Sequence, residues 1–120
     1  LERGPDVSFA NCGLPYYVGG EIAKRDKLLV TTPERLRARF RIDVRTHSSV
    51  EAIDRTAKTV RVRNLATGAE YDESYDKLIL ATGAAPIRPP LPGLELSCIF
   101  TLRNLEDVDR IKAAVDRGPG

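Results

Sequence analysis

The sequence predicts an α/β fold on three observations: a short continuous apolar run at residues 78–81, two capped segments with helical spacing of apolar residues, and alternating apolar and charged residues between them. The run Leu78-Ile79-Leu80-Ala81 suits a strand buried on both faces of a parallel sheet. The alternation over residues 48–75 suits an antiparallel meander with one solvated face. Helices, meander and buried strand in this mixed order favour an α/β domain.

Along the chain, residues 4–11 mix Gly4, Pro5, Asp6 and Ser8 and read as a loop. A short helix is predicted over residues 12–22, with Pro15 near its start, which sets Cys12 at or near a helix N-terminus. A second helix opens with Thr32 as N-cap, Pro33 at the first helical position and Glu34 in the first turn. Leu36 and Phe40 are spaced for one buried face, and the helix should end near Arg41. The pattern then turns to β: Ile42 and Val44 alternate, Val50 and Ile53 follow, and Val60 and Val62 alternate with Arg61 and Arg63. Ala66-Thr67-Gly68 supplies a turn and residues 70–75 return, so the meander reads as an insertion and not a second domain.

The strand at residues 78–81 is stopped by Thr82-Gly83 and followed by a proline-rich loop through Pro86, Pro89, Pro90 and Pro92. A further strand is predicted near residues 97–101. The last helix carries Asn104 as N-cap and Asp107 three residues on, with Val108, Ile111 and Val115 on one side. Leu1 and Glu2 read as the tail of a strand and residues 116–120 as a linker, so the chain reads as a piece of a longer protein.

A chain of 120 residues, 42% hydrophobic and 30% charged, has the composition of a soluble globular domain with a core. Its net charge of +2 is too small to argue for nucleic acid or a membrane surface. No run approaches the roughly 18 apolar residues of a membrane span, and the start is no signal peptide, so a cytoplasmic location is expected. Most of the 19 basic residues are arginine, which suits phosphate contacts, although a solvated surface is the preferred reading. The two cysteines, Cys12 and Cys98, form neither a Cys-x-x-Cys pair nor a zinc pattern, and no metal is expected. Ser97-Cys98-Ile99-Phe100 reads as core, and His47 as an exposed turn.

The segment Ser8-Phe9-Ala10-Asn11-Cys12-Gly13-Leu14-Pro15-Tyr16-Tyr17 sets a cysteine between a polar loop and a helix, where free backbone N–H groups favour a thiolate. An inert buried cysteine is the competing reading. Asn11 adds an amide beside the sulfur, and Gly13 leaves room for another molecule to approach. Continued by Val18-Gly19-Gly20, the segment resembles the active-site segment of the single-cysteine branch of the FAD-dependent pyridine nucleotide-disulfide oxidoreductases. That branch comprises coenzyme A-disulfide reductases, NADH oxidases and NADH peroxidases. Disulfide reductases proper carry a second cysteine five residues after the first, where this chain has Tyr17. The stretch Tyr75-Asp76-Lys77-Leu78-Ile79-Leu80-Ala81-Thr82-Gly83 similarly resembles the family's second flavin motif. Val50-Glu51-Ala52-Ile53-Asp54 resembles its adenine-contacting strand, and residues 100–111 resemble the connector into a nicotinamide domain.

This resemblance implies a partial FAD-binding Rossmann-like domain over residues 1–120 with an antiparallel β-meander insertion. The N-terminal glycine loop and the downstream NAD(P)H and dimerisation domains are lacking. Cys12 is then the nucleophile, Ser8 and Asn11 seat the sulfur arm of the substrate, and Glu2, Val50, Ala81, Thr82 and Gly83 contact FAD, Glu2 through the ribose hydroxyls. The family's basic residue for coenzyme A phosphates falls on Phe40, so Arg39 or Arg41 would have to serve by a small shift. The implied parent is a homodimer that passes electrons from NAD(P)H through FAD to coenzyme A disulfide at Cys12. An NADH oxidase or peroxidase cycling through a cysteine sulfenic acid is the alternative. From other classes come a non-catalytic folding or association unit formed by these residues alone, and a thiol-reactive sensor without flavin dependence.

Overall fold

The computed structural model describes residues 1–118. The chain is mixed α/β and divides into two compact units, one of Leu1–Ser8 with Thr31–Ala81 and the other of Phe9–Val30 with Thr82–Gly120. Pro119 and Gly120, the end of the expected linker, lie outside the described residues. The rest of that linker is helical as far as Arg117.

In the first unit, helix α2 (Pro33–Phe40) follows helix α1 (Leu14–Val18) of the other unit in chain order and begins where its capping residues require. The Thr32 hydroxyl accepts from the N–H of Arg35 at 3.4 Å, and Pro33 needs no partner for a missing N–H. A hydrogen bond with Thr32 and the backbone N–H of its own first turn hold the Glu34 carboxyl below its usual value. Arg41 ends the helix in the left-handed region (φ 56°) and returns its N–H to the carbonyl of Arg37. The expected buried face is only partly formed: Leu36 is half-buried, whereas Phe40 is 58% exposed with the Arg39 guanidinium over its ring. Nor do Ile42 and Val44 form a strand. The left-handed turn at Arg41 redirects the chain, and residues 41–47 run as a loop.

Strands β1 (Ser48–Asp54), β2 (Thr59–Asn64) and β3 (Glu70–Ser74) form the expected antiparallel meander in the order β1-β2-β3. Two Asx turns set the register. The Asp54 carboxylate accepts from the N–H groups of Thr56 and Ala57, and the Asn64 amide oxygen from those of Ala66 and Thr67. Gly68 supplies the positive φ (76°) of the second turn. Val60 and Val62 are buried, and across the ladder they pair with Glu73 and Tyr71, which therefore stand on the same face. Arg45 lies over that face: its ring contact with Tyr71 is 5.6 Å to the centroid, and its guanidinium donates to the Tyr71 hydroxyl at 3.2 Å and to Glu73. Together with Asp43, these acceptors push the guanidinium further above its ordinary value, the tyrosine hydrogen bond contributing most. Glu2 is not in a strand, but its N–H and carbonyl bond the carbonyl of Arg45 and the N–H of Ser48, each at 2.9 Å.

The run at residues 78–81 is a correction to the sequence reading. It forms no strand, and Ile79 is 89% exposed. A buried parallel strand requires a neighbour to complete its ladder, and among the described residues no segment pairs with it.

In the second unit, the helix expected over residues 12–22 is a 3₁₀ turn (Asn11–Gly13) running into a short α1 (Leu14–Val18), which stops at Gly19-Gly20 with Gly20 at φ 85°. A second 3₁₀ turn (Arg25–Leu28) follows. The strand expected near residues 97–101 does not form either. Tight turns carry the backbone bonding there, from Leu94 to Leu91, Leu96 to Gly93 and Ile99 to Leu96, and Cys98 is exposed rather than core. Helix α3 (Leu105–Arg117) starts at the Asn104 capping box. Its Leu105 and Val108 close a core with Leu14 and Leu28, around which Phe9, Tyr17, Val18, Ile22 and Leu29 pack. Arg25 Nε fixes the 3₁₀ turn to α3 by bonding both carboxylate oxygens of Asp109, at 2.9 and 2.8 Å.

Leu28 is fully buried in this core, so Leu28→Ala should destabilise the protein by about 2–5 kcal/mol. Leu65→Ala, at an exposed turn, should stay within about 0.5 kcal/mol. Urea unfolding midpoints read both; equal losses would contradict the assigned core.

Candidate functional site

The second unit presents Cys12 on a turn that the core supports. The N–H of Ala10 bonds the carbonyl of Leu28 at 2.8 Å, Phe9 bridges Leu29, and the chain then winds through Asn11–Gly13 into α1. Cys12 is a free, exposed thiol in the middle of this turn. The role expected of Gly13 needs correction. It is buried, and a Cβ there would come within 2.9 Å of Leu28 Cδ2 and 3.3 Å of Ile22 Cδ1. The absent side chain lets the turn settle on the core and opens no approach to the sulfur.

One side chain joins this turn to the loop after residues 78–81. Arg103 Nε donates to the carbonyl of Ala84 at 2.9 Å, and Nη1 donates to Asn11 Oδ1 at 3.2 Å. Gly83 lies beside the same guanidinium: a Cβ would stand 3.3 Å from Arg103 Nη2, and its φ of 71° is left-handed. Glycine is therefore favoured at position 83 both by conformation and by space. Arg103 is fixed in turn by the head of α3. Its N–H and that of Asn104 bond the Asp107 carboxylate at 2.9 and 3.3 Å, and the N–H of Asp107 bonds Asn104 Oδ1 at 2.8 Å.

Of the residues singled out from the sequence, Asn11, Cys12, Thr82 and Gly83 thus belong to the second unit. Glu2, Ser8, Arg39, Arg41, Val50 and Ala81 belong to the first. There, Glu2 Oε1 accepts from the N–H of Gly4 at 2.7 Å, while Val50 pairs with Val62 beside a bulge in β1. Ser8 is half-buried, and Ala81, Arg39 and Arg41 are exposed. His47 is exposed in a bend at φ 51°, as its turn reading requires. Sequence reasoning missed Arg103. The signal that could have found it is its place directly before an Asn-x-x-Asp capping box, which pins the backbone of the preceding residue as well as the N-cap.

Among the described residues no helix is long and apolar enough to cross a membrane, and no group of three or more His, Cys, Asp or Glu could hold a metal ion. A family model described as pyridine nucleotide-disulphide oxidoreductase matches residues 1–117. A coenzyme A disulfide reductase of Staphylococcus aureus (strain JH9) is 46% identical over 111 residues, covering 92% of this chain and 25% of that protein. Among solved structures, the reduced CoADR-RHD of Bacillus anthracis superposes with a TM-score of 0.91 at 53% identity, covering 96% of this chain and 21% of its own. The water-forming NADH oxidase of Lactobacillus brevis, bound to NADH, gives 0.83 at 34% identity, covering 97% and 25%. The chain spans about a quarter of the length of the curated relatives it matches.

Removal of the Asp107 carboxylate would undo the cap and release Arg103 together. Asp107→Ala should therefore lower stability by about 1–3 kcal/mol, measured by denaturant unfolding. A change within about 0.5 kcal/mol would contradict this role.

Proposed function

Because this chain belongs to the pyridine nucleotide-disulphide oxidoreductase family, we propose that the protein carrying it reduces coenzyme A disulfide at Cys12, with electrons passed from NAD(P)H through FAD. The chain is one partial FAD-binding domain of that protein, which works in the cytoplasm as a homodimer. The observation that carries the reading is the free, exposed Cys12 on the turn that opens α1, with Tyr17 in place of a second cysteine. Similarity to a coenzyme A disulfide reductase over most of the chain supports the choice of substrate.

The residues present suit FAD chemically. Gly83 leaves its backbone bare in a left-handed turn, and Glu2 keeps a second carboxylate oxygen to accept from a ribose hydroxyl. Val50, Ala81 and Thr82 complete the set that would hold it. When bound, FAD supplies a relay for the two electrons of NAD(P)H.

Cys12 Sγ, as the thiolate, attacks one sulfur of coenzyme A disulfide. A Cys12–coenzyme A disulfide forms, and the other coenzyme A leaves as its thiolate and takes up a proton. Two electrons and a proton then return Cys12 to the thiolate and release the second coenzyme A thiol. The sum is coenzyme A disulfide, NAD(P)H and one proton giving two coenzyme A thiols and NAD(P)⁺. Tyr17 cannot resolve the mixed disulfide as a second cysteine would, so this cycle needs no internal disulfide. Ser8 and Asn11 seat the sulfur arm, and Arg39 or Arg41 bind the phosphates.

A second reading, oxygen or peroxide reduction through a Cys12 sulfenic acid, is favoured by the similarity to the water-forming NADH oxidase. Non-reduced intact mass of the full-length protein, after NAD(P)H and coenzyme A disulfide, separates the two. A coenzyme A adduct mapped to Cys12 is expected. An added oxygen there without coenzyme A would favour the second reading, and turnover retained in Cys12→Ser would remove both.

The 120-residue chain alone is proposed to act only as a folding or association unit. Its exposed apolar run at residues 78–81 supports this reading, since a contiguous exposed apolar patch favours association. The purified chain should retain little or no FAD, read from the flavin absorbance after gel filtration. A stoichiometric yellow protein would contradict this.

A further inference from the structure

We propose that Arg103 is a positioning residue for Cys12 that acts through Asn11, setting which end of the Asn11 amide is left for an acceptor at the thiol. The proposal rests on the reading of Cys12 as the redox thiol. A guanidinium has five N–H donors and no acceptor, so only the oxygen of the Asn11 amide can face it. With Oδ1 engaged at 3.2 Å by Arg103 Nη1, Asn11 keeps its Nδ2–H donors for a sulfur or oxygen acceptor beside Cys12. A thiolate, a sulfenate oxygen or a carbonyl of the substrate arm belongs to that class.

Arg103 is itself held at two points, its guanidinium and its backbone. Nε is committed to the carbonyl of Ala84 at 2.9 Å, and the Arg103 N–H to the Asp107 carboxylate at 2.9 Å. Gly83 leaves the space in which Nη2 sits. A planar fork can serve two oxygens of different segments at once, whereas the single nitrogen of lysine cannot reproduce its geometry. The side chain of Asn11, next to Cys12 in the chain, is thus tied to the loop that follows Thr82-Gly83, and a shift in that loop reaches Asn11 through one side chain.

The test uses the full-length flavoprotein in a Cys98→Ser background, because Cys98 is also exposed. Two quantities are measured in Arg103→Ala, Arg103→Lys, Asn11→Ala, Asn11→Asp and the Arg103→Ala/Asn11→Ala double variant. These are the rate of Cys12 alkylation by iodoacetamide as a function of pH, and kcat with coenzyme A disulfide; flavin absorbance and the unfolding midpoint report folding. Arg103→Ala should lower both rates about tenfold, and should have no further effect in the Asn11→Ala background. Arg103→Lys should not restore them. Asn11→Asp, which keeps an acceptor for Arg103 but loses the N–H donors, should be as slow as Asn11→Ala with an unchanged unfolding midpoint. The proposal is overturned if Arg103→Ala slows the Asn11→Ala protein as much as the parent, if lysine rescues, or if Asn11→Asp keeps the parent rates. Turnover retained in Cys12→Ser would remove the redox-thiol reading alone, because the alkylation cycle would still report the coupling among Arg103, Asn11 and Cys12.

Discussion

The second unit depends on where one carboxylate, that of Asp107, places the head of α3. Asp107 is only 8% exposed, and a buried carboxylate is tolerable only when its oxygens are satisfied. Here the N–H groups of Arg103 and Asn104 and the side chain of Arg110 supply the donors. With the helix start thereby fixed, Leu105 and Val108 fall into register with Leu14 and Leu28, and the core closes. The turn bearing Cys12 rests on that core through Ala10 and Gly13. The same carboxylate fixes the backbone from which Arg103 reaches Ala84 and Asn11. Helix capping, core packing and the surroundings of the thiol are therefore one mechanical problem in this unit.

The first unit solves a different problem, since a three-stranded sheet must cover one face or remain marginal. Val60 and Val62 bury the middle of that face, and Arg45 spans Tyr71 and Glu73, their partners on β3. Its side chain is 38% exposed, so the ion pairs contribute modestly and the aromatic contact and aliphatic stem matter as much. The Asx turns at Asp54 and Asn64 keep the register that puts both valines on the covered face; a slip by one residue would expose them.

In the proposed mechanism Cys12 works without a second cysteine at position 17, so the oxidised partner comes from outside. A second cysteine would make the first half of the cycle intramolecular. With Tyr17 at that position the proposed first step is bimolecular, and in it the groups that seat and orient the incoming sulfur carry more of the work. In the proposed mechanism those groups are Asn11 and Ser8, which gives the Arg103 contact its interest.

Much of this was legible in the sequence because it is local. Thr32-Pro33, Asn104 with Asp107, the turn residues at 66–68 and the alternating valines state their conformation within a few residues, and the helix and strand boundaries follow them closely. The segment around Cys12 and the Ala81-Thr82-Gly83 motif likewise carried the family, because the identity of a chemical site resides in short contiguous runs. The failures are non-local. Residues 78–81 are apolar enough for a buried strand, but whether a strand exists depends on a neighbour to bond with, which the run itself cannot report. Phe40 could pack only if an element lay against it, and Gly13 proved to be a packing residue because Leu28 comes from fifteen positions away. Arg103 and Asn11 are 92 residues apart. Sequence by itself determined the turns, the caps and the family; tertiary structure decided which apolar groups are buried and which charged group reaches Asn11, because both depend on contacts between segments distant along the chain.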